Sequence, residues 1–195
     1  MKVVVKLSIS FLALLFSHQP FAQEQCPLDD LKQLNYLAIQ CQFYLRTQAY
    51  RARTFTIAAA HWQNVIDSQS QTESEKELQS SALSNLTFLR YTGQGVEKDK
   101  ATAVAAWKKA AAQGDLEPRR HLGYAYSDKD FKERNQITSL AWYKATVSHY
   151  LSMKTTRDSD RNVYNDALSA IATLEEDMSA LEIKAAEAKA KTLEL

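Results

Sequence analysis

The chain has 195 residues, with 24 lysines and arginines against 23 aspartates and glutamates, four glycines, three prolines and two cysteines. Glycine at about 2% lies well under the usual ~7%, which works against glycine-rich phosphate loops and turn-dense β architectures and favours helices. Two cysteines exclude a disulfide-rich miniprotein and a four-cysteine zinc site, and a net charge of +1 offers nucleic acid no polyelectrolyte attraction.

Residues 1–22 have the pattern of a secretory signal: Lys2 and Lys6 precede the uncharged run LSISFLALLF at 7–16, which is too short to span a bilayer. Ala22 is the candidate cleavage residue, although Pro20 departs from the small residue usual two positions before it. Removal of both lysines turns the net charge from +1 to −1, and the expected location is the periplasm or beyond.

Cys26 and Cys41 follow, and in an exported chain two thiols are expected to bridge. One straight helix between them would hold them about 22 Å apart at 1.5 Å per residue. A bridge therefore requires a break near residues 34–36 and would contribute ~3 kcal/mol through a loop of about 15 residues. The alternative is two reduced thiols, with Cys41 filling a repeat leucine's place.

From residue 41 onward the chain repeats itself. The segment LTFLRYTGQGVEKDKATAVAAWKKAAAQG at 86–114 precedes LGYAYSDKDFKERNQITSLAWYKATVSH at 122–149 by 36 residues, with one deletion, so that Leu86 matches Leu122 and Trp107 matches Trp142. A degenerate copy, CQFYLRTQAYRARTFTIAAAHWQNVID at 41–67, superposes on 86–112 and places Trp62 on Trp107. The polar stretch after it, DSQSQTESEKE, reads as a link.

Each copy divides into an A helix, a turn and a B helix. In the second copy Ala82, Leu83, Leu86, Leu89 and Arg90 follow helical spacing, Gly93 and Gly95 interrupt it, and Ala101, Val104, Ala105, Ala111 and Ala112 resume it around Trp107. Asp99 is a candidate cap for its B helix, Gly114 is placed for a left-handed turn, and Asp115 is placed to cap the next helix, with Pro118 in the first turn.

After Tyr150 a polar connector leads to a stripe of Val163, Ala167, Leu168, Ile171 and Leu174. Ser179 and Glu182 have capping-box spacing, Met178 and Ile183 staple spacing, and Leu181, Ile183 and Ala186 are the expected contacts of the last helix, whose end is expected to fray. The expected organisation is a signal at 1–22, a degenerate repeat at 23–68, a link at 69–77, two good repeats at 78–150 and a capping pair at 151–195.

The pattern LxxLxxxGxGVxxDxxxAxxxW followed by KAAxxG resembles the Sel1-like repeat, an α/α unit related to the tetratricopeptide repeat. Leu86, Gly93, Gly95, Val96, Asp99, Trp107, Ala110 and Ala111 carry the resemblance in the second copy, and Leu122, Gly123, Tyr126, Trp142, Tyr143 and Ala145 in the third. Thr87, Arg90 and Lys129 depart from it. The resemblance implies an all-α fold, a short right-handed α/α solenoid of about three helix pairs with a C-terminal helical cap, and a role as an adaptor in protein assemblies. Two further functions follow from the resemblance as alternatives. One is an accessory component of a sodium-driven flagellar motor. The other is an envelope-acting, β-lactamase-like hydrolase, which the absence of cysteines from the good repeats disfavours.

The residues themselves supply little chemistry. His61, His121 and His149 form no metal-ligand spacing, no nucleophile or phosphate-loop motif is present, and paired carboxylates sit near expected helix ends, so catalytic, cofactor and metal sites are expected to be none. The candidate partner-binding residues are Arg46, Arg51 and Arg53 around the first turn, and Arg119 and Arg120 at the start of the third A helix. Tyr44, Tyr91, Tyr124 and Tyr126 are expected in the core or lining a groove. The expected partner is another envelope protein or peptide, without nucleic acid and without a transmembrane segment once the signal is removed.

Overall fold

The computed structural model describes residues 49–70, 72–155 and 157–193. The expectations for the signal, Cys26, Cys41, Tyr44 and Arg46 fall outside them. Among the described residues there is no strand, and seven helices follow one another: α1 (Phe55–Asp67), α2 (Glu73–Thr92), α3 (Lys100–Ala112), α4 (Leu116–Ser127), α5 (Gln136–Met153), α6 (Asp158–Glu176) and α7 (Ala180–Lys191).

Local chemistry sets most of the boundaries. The Asp99 carboxylate accepts the Thr102 N–H at 2.9 Å and starts α3, and Asn135 does the same for α5 with the Thr138 N–H at 2.8 Å. Gly93, Gly95 and Gly114 all have positive φ, as their turn positions require. Gly95 is the most constrained, because a Cβ there would lie 2.4 Å from the Thr56 nitrogen and 2.5 Å from the Phe55 carbonyl carbon at the start of α1. The Ser179–Glu182 capping box opens α7, and Met178 shares one cluster with Ile183. Helix α2 begins at Glu73 rather than 78, because Thr72 and Glu75 form a reciprocal capping box that consumes half of the expected link.

The helices stack as neighbours in sequence and in alternate rows. The A helices α2, α4 and α6 touch in succession, α3 packs against α2 and α4, and α5 against α4, α6 and α7. No pair owns its core. Trp62 and Val65 of α1 pack with Ala82, Leu86 and Leu89 of α2, while Trp107 of α3 shares a cluster with Tyr91, Leu122, Ala125, Tyr126 and Trp142. Leu140 and Ala141 of α5 pack with Met178, Ala186 and Ala190. The three tryptophans of the repeat position are all buried. This shared burial is why the pairs must stack to be stable.

Several sequence expectations for individual faces are corrected. On α2, Leu83 is 47% exposed and Tyr91 fully buried, and on α3 the inward face is Ala103, Val104, Trp107 and Ala111 rather than Ala101, Ala105 and Ala112. Leu181 is 78% exposed. The chain end is also held to residue 193, where Leu193 packs against two clusters and its carbonyl accepts a hydrogen bond from Arg119 at 2.8 Å. Lys144 on α5 ties the cap by bonding Glu175 of α6 at 2.8 Å and Glu187 of α7 at 3.3 Å.

Candidate interaction surface

The row of A helices presents a cleft of about 360 Å³ where the middle of α2 meets the first turns of α4 and α6. Helix α2 contributes Glu77, Ser80, Ser81, Ser84 and Asn85, whose spacing puts them on one flank. Asp115, Glu117 and Pro118 come from the start of α4, and Arg157, Asp160 and Val163 from the start of α6. A second cleft of about 280 Å³, with Leu83, Ala106, Trp107 and Ala110 in its wall, shares Ser80, Ser84, Asp115 and Pro118 with the first.

The polar groups of the main cleft are only partly matched to one another. Arg157 is divided between Glu77 at 2.9 Å and Asp160 at 2.8 Å. Asp115 occupies the cap position of α4 but makes no capping bond; its carboxylate instead accepts from the Ser80 hydroxyl at 2.7 Å. The cap position of α6, Arg157, also supplies no side-chain cap. Two helix N-termini therefore open on the cleft with their first-turn N–H groups unserved by side chains. Ser84 is 5% exposed and its hydroxyl has no hydrogen-bond partner among the described residues.

Beneath the cleft, His121 is buried between the rings of Trp107 and Phe88, with centroids 4.7 and 5.1 Å away and planes within 28°. Its Nε2 lies 3.2 Å from Glu117 Oε1, although neither ring nitrogen has an aligned hydrogen bond. Burial depresses the His121 pKa below its ordinary 6.5, more than the neighbouring carboxylate raises it. Burial would raise Glu117, but His121 and Arg120 outweigh it and hold that carboxyl at about 2.

The candidate arginines divide. Arg51 and Arg53 are exposed, and Arg53 takes a left-handed φ of 58° in the turn before α1. Arg119 is 2% exposed, with its guanidinium donating to the Leu193 carbonyl at 2.8 Å and the Ala111 carbonyl at 3.0 Å. It is a structural clip and cannot face a partner, which corrects the sequence expectation. Arg120 pairs with Glu117 and lies 3.9 Å from Asp166, so its charge is also spent within the fold. Tyr91 and Tyr126 are buried and Tyr124 is 40% exposed. Tyr91 donates to Asp128 at 2.7 Å and Lys100 donates to the same oxygen at 2.6 Å, a link between successive repeats.

The polar flank of α2 is not among the binding residues expected from the sequence. Its signal was available: Ser80, Ser81, Ser84 and Asn85 make a polar stripe at helical spacing, where a helix buried in the stack would be apolar. Among the described residues no group of three or more metal-ligating side chains is gathered, and no helix is long and apolar enough to cross a membrane.

The crystal structure of a protective antigen present in uropathogenic Escherichia coli strains, described as displaying an SLR fold, matches with a TM-score of 0.54 over 80% of this chain at 19% identity. The chain has a Sel1-like repeat fold. It spans 29% of that antigen's length. No family model matches the sequence, and no curated protein matches it. The Sel1-like stack accounts for the cleft, because it brings three A helices far apart in sequence to one surface.

Proposed function

We propose that the chain is a non-catalytic interaction scaffold of the cell envelope, working in the periplasm and engaging a protein partner along the row α2, α4 and α6. The observation that carries this reading is the cleft itself. It is polar, it is built jointly by three successive helix pairs, and its groups are incompletely satisfied. The secretory pattern of residues 1–22 supports the compartment. The non-catalytic reading rests on the cleft's chemistry: the Ser84 hydroxyl has no base in hydrogen-bond contact, and Glu117 and Asp160 are held as ion-pair partners.

The test captures partners from envelope extracts, identifies them and reconstitutes the complex from purified components. Ser81→Arg with Asn85→Arg, which places bulk on the flank of α2, is expected to weaken it at least tenfold. Arg51→Glu with Arg53→Glu is expected to change it less than twofold. The reverse pattern would move the binding surface to the first turn and sink the reading. Turnover of an envelope substrate that is lost on one side-chain change would replace the scaffold with an enzyme.

A further inference from the structure

The charge balance of the cleft names the chemistry of what it takes. Four carboxylates, Glu77, Asp115, Glu117 and Asp160, line it against the single guanidinium of Arg157. Arg120 neutralises Glu117 from the side, and Arg157 serves Glu77 and Asp160 together, which leaves an excess of two negative charges. Among the described residues Asp115 has a serine hydroxyl as its bonding partner and no cation. This excess is local, because the chain as a whole is close to neutral, +1 with residues 1–22 and −1 without them.

The second feature is a surplus of donors. The first turns of α4 and α6 have no side-chain cap, and the Ser84 hydroxyl is buried at the seam of both clefts without a partner. Asn85 and Ser81 stand beside it on α2, with the Asn85 amide donating to the Ser81 carbonyl at 2.9 Å. A ligand that carried only cationic groups, such as a polyamine, would satisfy the carboxylates but bring no acceptors for these donors. An extended peptide brings both, because its carbonyls accept while its lysine or arginine side chains donate to carboxylates.

We propose that the cleft between α2, α4 and α6 binds an extended, lysine- or arginine-bearing segment of a partner protein. Its cationic side chains meet Glu77 and Asp115, and its main-chain carbonyls face Ser84 and the open helix N-termini. This inference rests on the scaffold reading and specifies the partner's chemistry. The cleft's 360 Å³ falls at the small end of ligand sites, of order 300–1,000 Å³, which suits a few residues of an extended strand rather than a folded domain.

The experiment uses the full mature chain and two fluorescein-labelled decapeptides, one alternating lysine and alanine, the other glutamate and alanine. Fluorescence anisotropy is read at 50 and 500 mM NaCl. The lysine peptide is expected to bind saturably and the glutamate peptide to fail. Glu77→Gln with Asp115→Asn is expected to weaken binding at least tenfold, while Glu97→Gln, exposed and outside the cleft, leaves it within twofold. Asn is itself a good cap residue, and an unchanged thermal unfolding midpoint shows that the double variant is folded. Equal binding of both peptides, no saturable binding of the lysine peptide, or equal loss with Glu97→Gln overturns the proposal. A reconstituted partner that is lost on Ser81→Arg with Asn85→Arg, yet binds through a segment without lysine or arginine, refutes this chemistry and leaves the scaffold standing. A polyamine that competes as strongly as the lysine peptide refutes the role of the main chain.

Discussion

Replacing Gly123 by alanine sets two opposed effects against each other, and the structure decides their sign. Gly123 lies within α4, where alanine is worth about 1 kcal/mol more than glycine in a helix. A Cβ there would stand 2.8 Å from Cγ, Cδ1 and Cε1 of Tyr143, against the ~3.5–4.0 Å of normal carbon contact. The ring cannot swing away. Tyr143 is 7% exposed on α5, and Ser139 of the same helix donates to the Gly123 carbonyl at 2.7 Å, so retreat would stretch that bond. Overpacking of this kind costs about 1–3 kcal/mol, and the expected net effect is destabilisation by about 1 kcal/mol, or ~2–4 °C in Tm for a chain of this size.

The assay is urea unfolding followed by circular dichroism, run for wild type, Gly123→Ala, Tyr143→Ala and the double variant. With the ring gone the added methyl is free of the clash, and Gly123→Ala should then stabilise the Tyr143→Ala background by up to about 1 kcal/mol. A stabilising Gly123→Ala in wild type, or the same cost in both backgrounds, would refute the argument. The repeat supplies an internal comparison: Thr87 stands at the Gly123 position one copy earlier, and there the residue after the tryptophan is the exposed Lys108. Glycine is needed only where a ring faces it.

His121 makes stability depend on pH. Its folded pKa is depressed below 6.5, so the unfolded chain takes up a proton that the folded chain refuses, and stability falls as pH drops below about 6.5. The loss approaches ~1.4 kcal/mol per pH unit for one proton; comparing denaturation at pH 7.5 and 5.5 should show a smaller loss in His121→Asn than in wild type, and equal losses would contradict it. Glu117 acts in the same direction lower down, its stabilisation present above 4.5 and lost as pH falls toward about 2. Arg119→Met keeps the packing stem but removes two bonds to carbonyls, at 2.8 and 3.0 Å. It is expected to cost about 2–4 kcal/mol, with faster amide exchange at the end of α7, and protection there equal to wild type would rule out the clip.

The repeat, its turns and most of its caps were legible in the sequence because they are set by neighbours in the chain, whereas Asp115, expected to cap α4, is turned to Ser80. Gly93, Gly95 and Gly114 sit where a left-handed residue is needed, Asp99 and Ser179 cap the helices they precede, and the tryptophans recur at the position where one helix must bury its face. Faces and ends were less legible. Leu83 and Leu181 follow apolar spacing but face solvent, because which third of a helix is covered depends on the neighbours that the stack supplies. Thr72 with Glu75 carried a helix start in the sequence and was overshadowed by the polarity around it.

The candidate surface was the least legible part. Arg119 and Arg120 look exposed when read as charges, yet the first reaches Leu193, 74 residues on, and the second pairs with Glu117 while Asp166 of α6 closes around it. Helical propensity, capping and the burial of a repeated tryptophan act over a few residues, so the sequence by itself determined a Sel1-like stack. Tertiary structure alone decided which charges are consumed inside it and that the polar flank of α2 meets carboxylates of α4 and α6 in excess of their cations in one cleft, since that meeting depends on the packing of helices separated by some 80 residues.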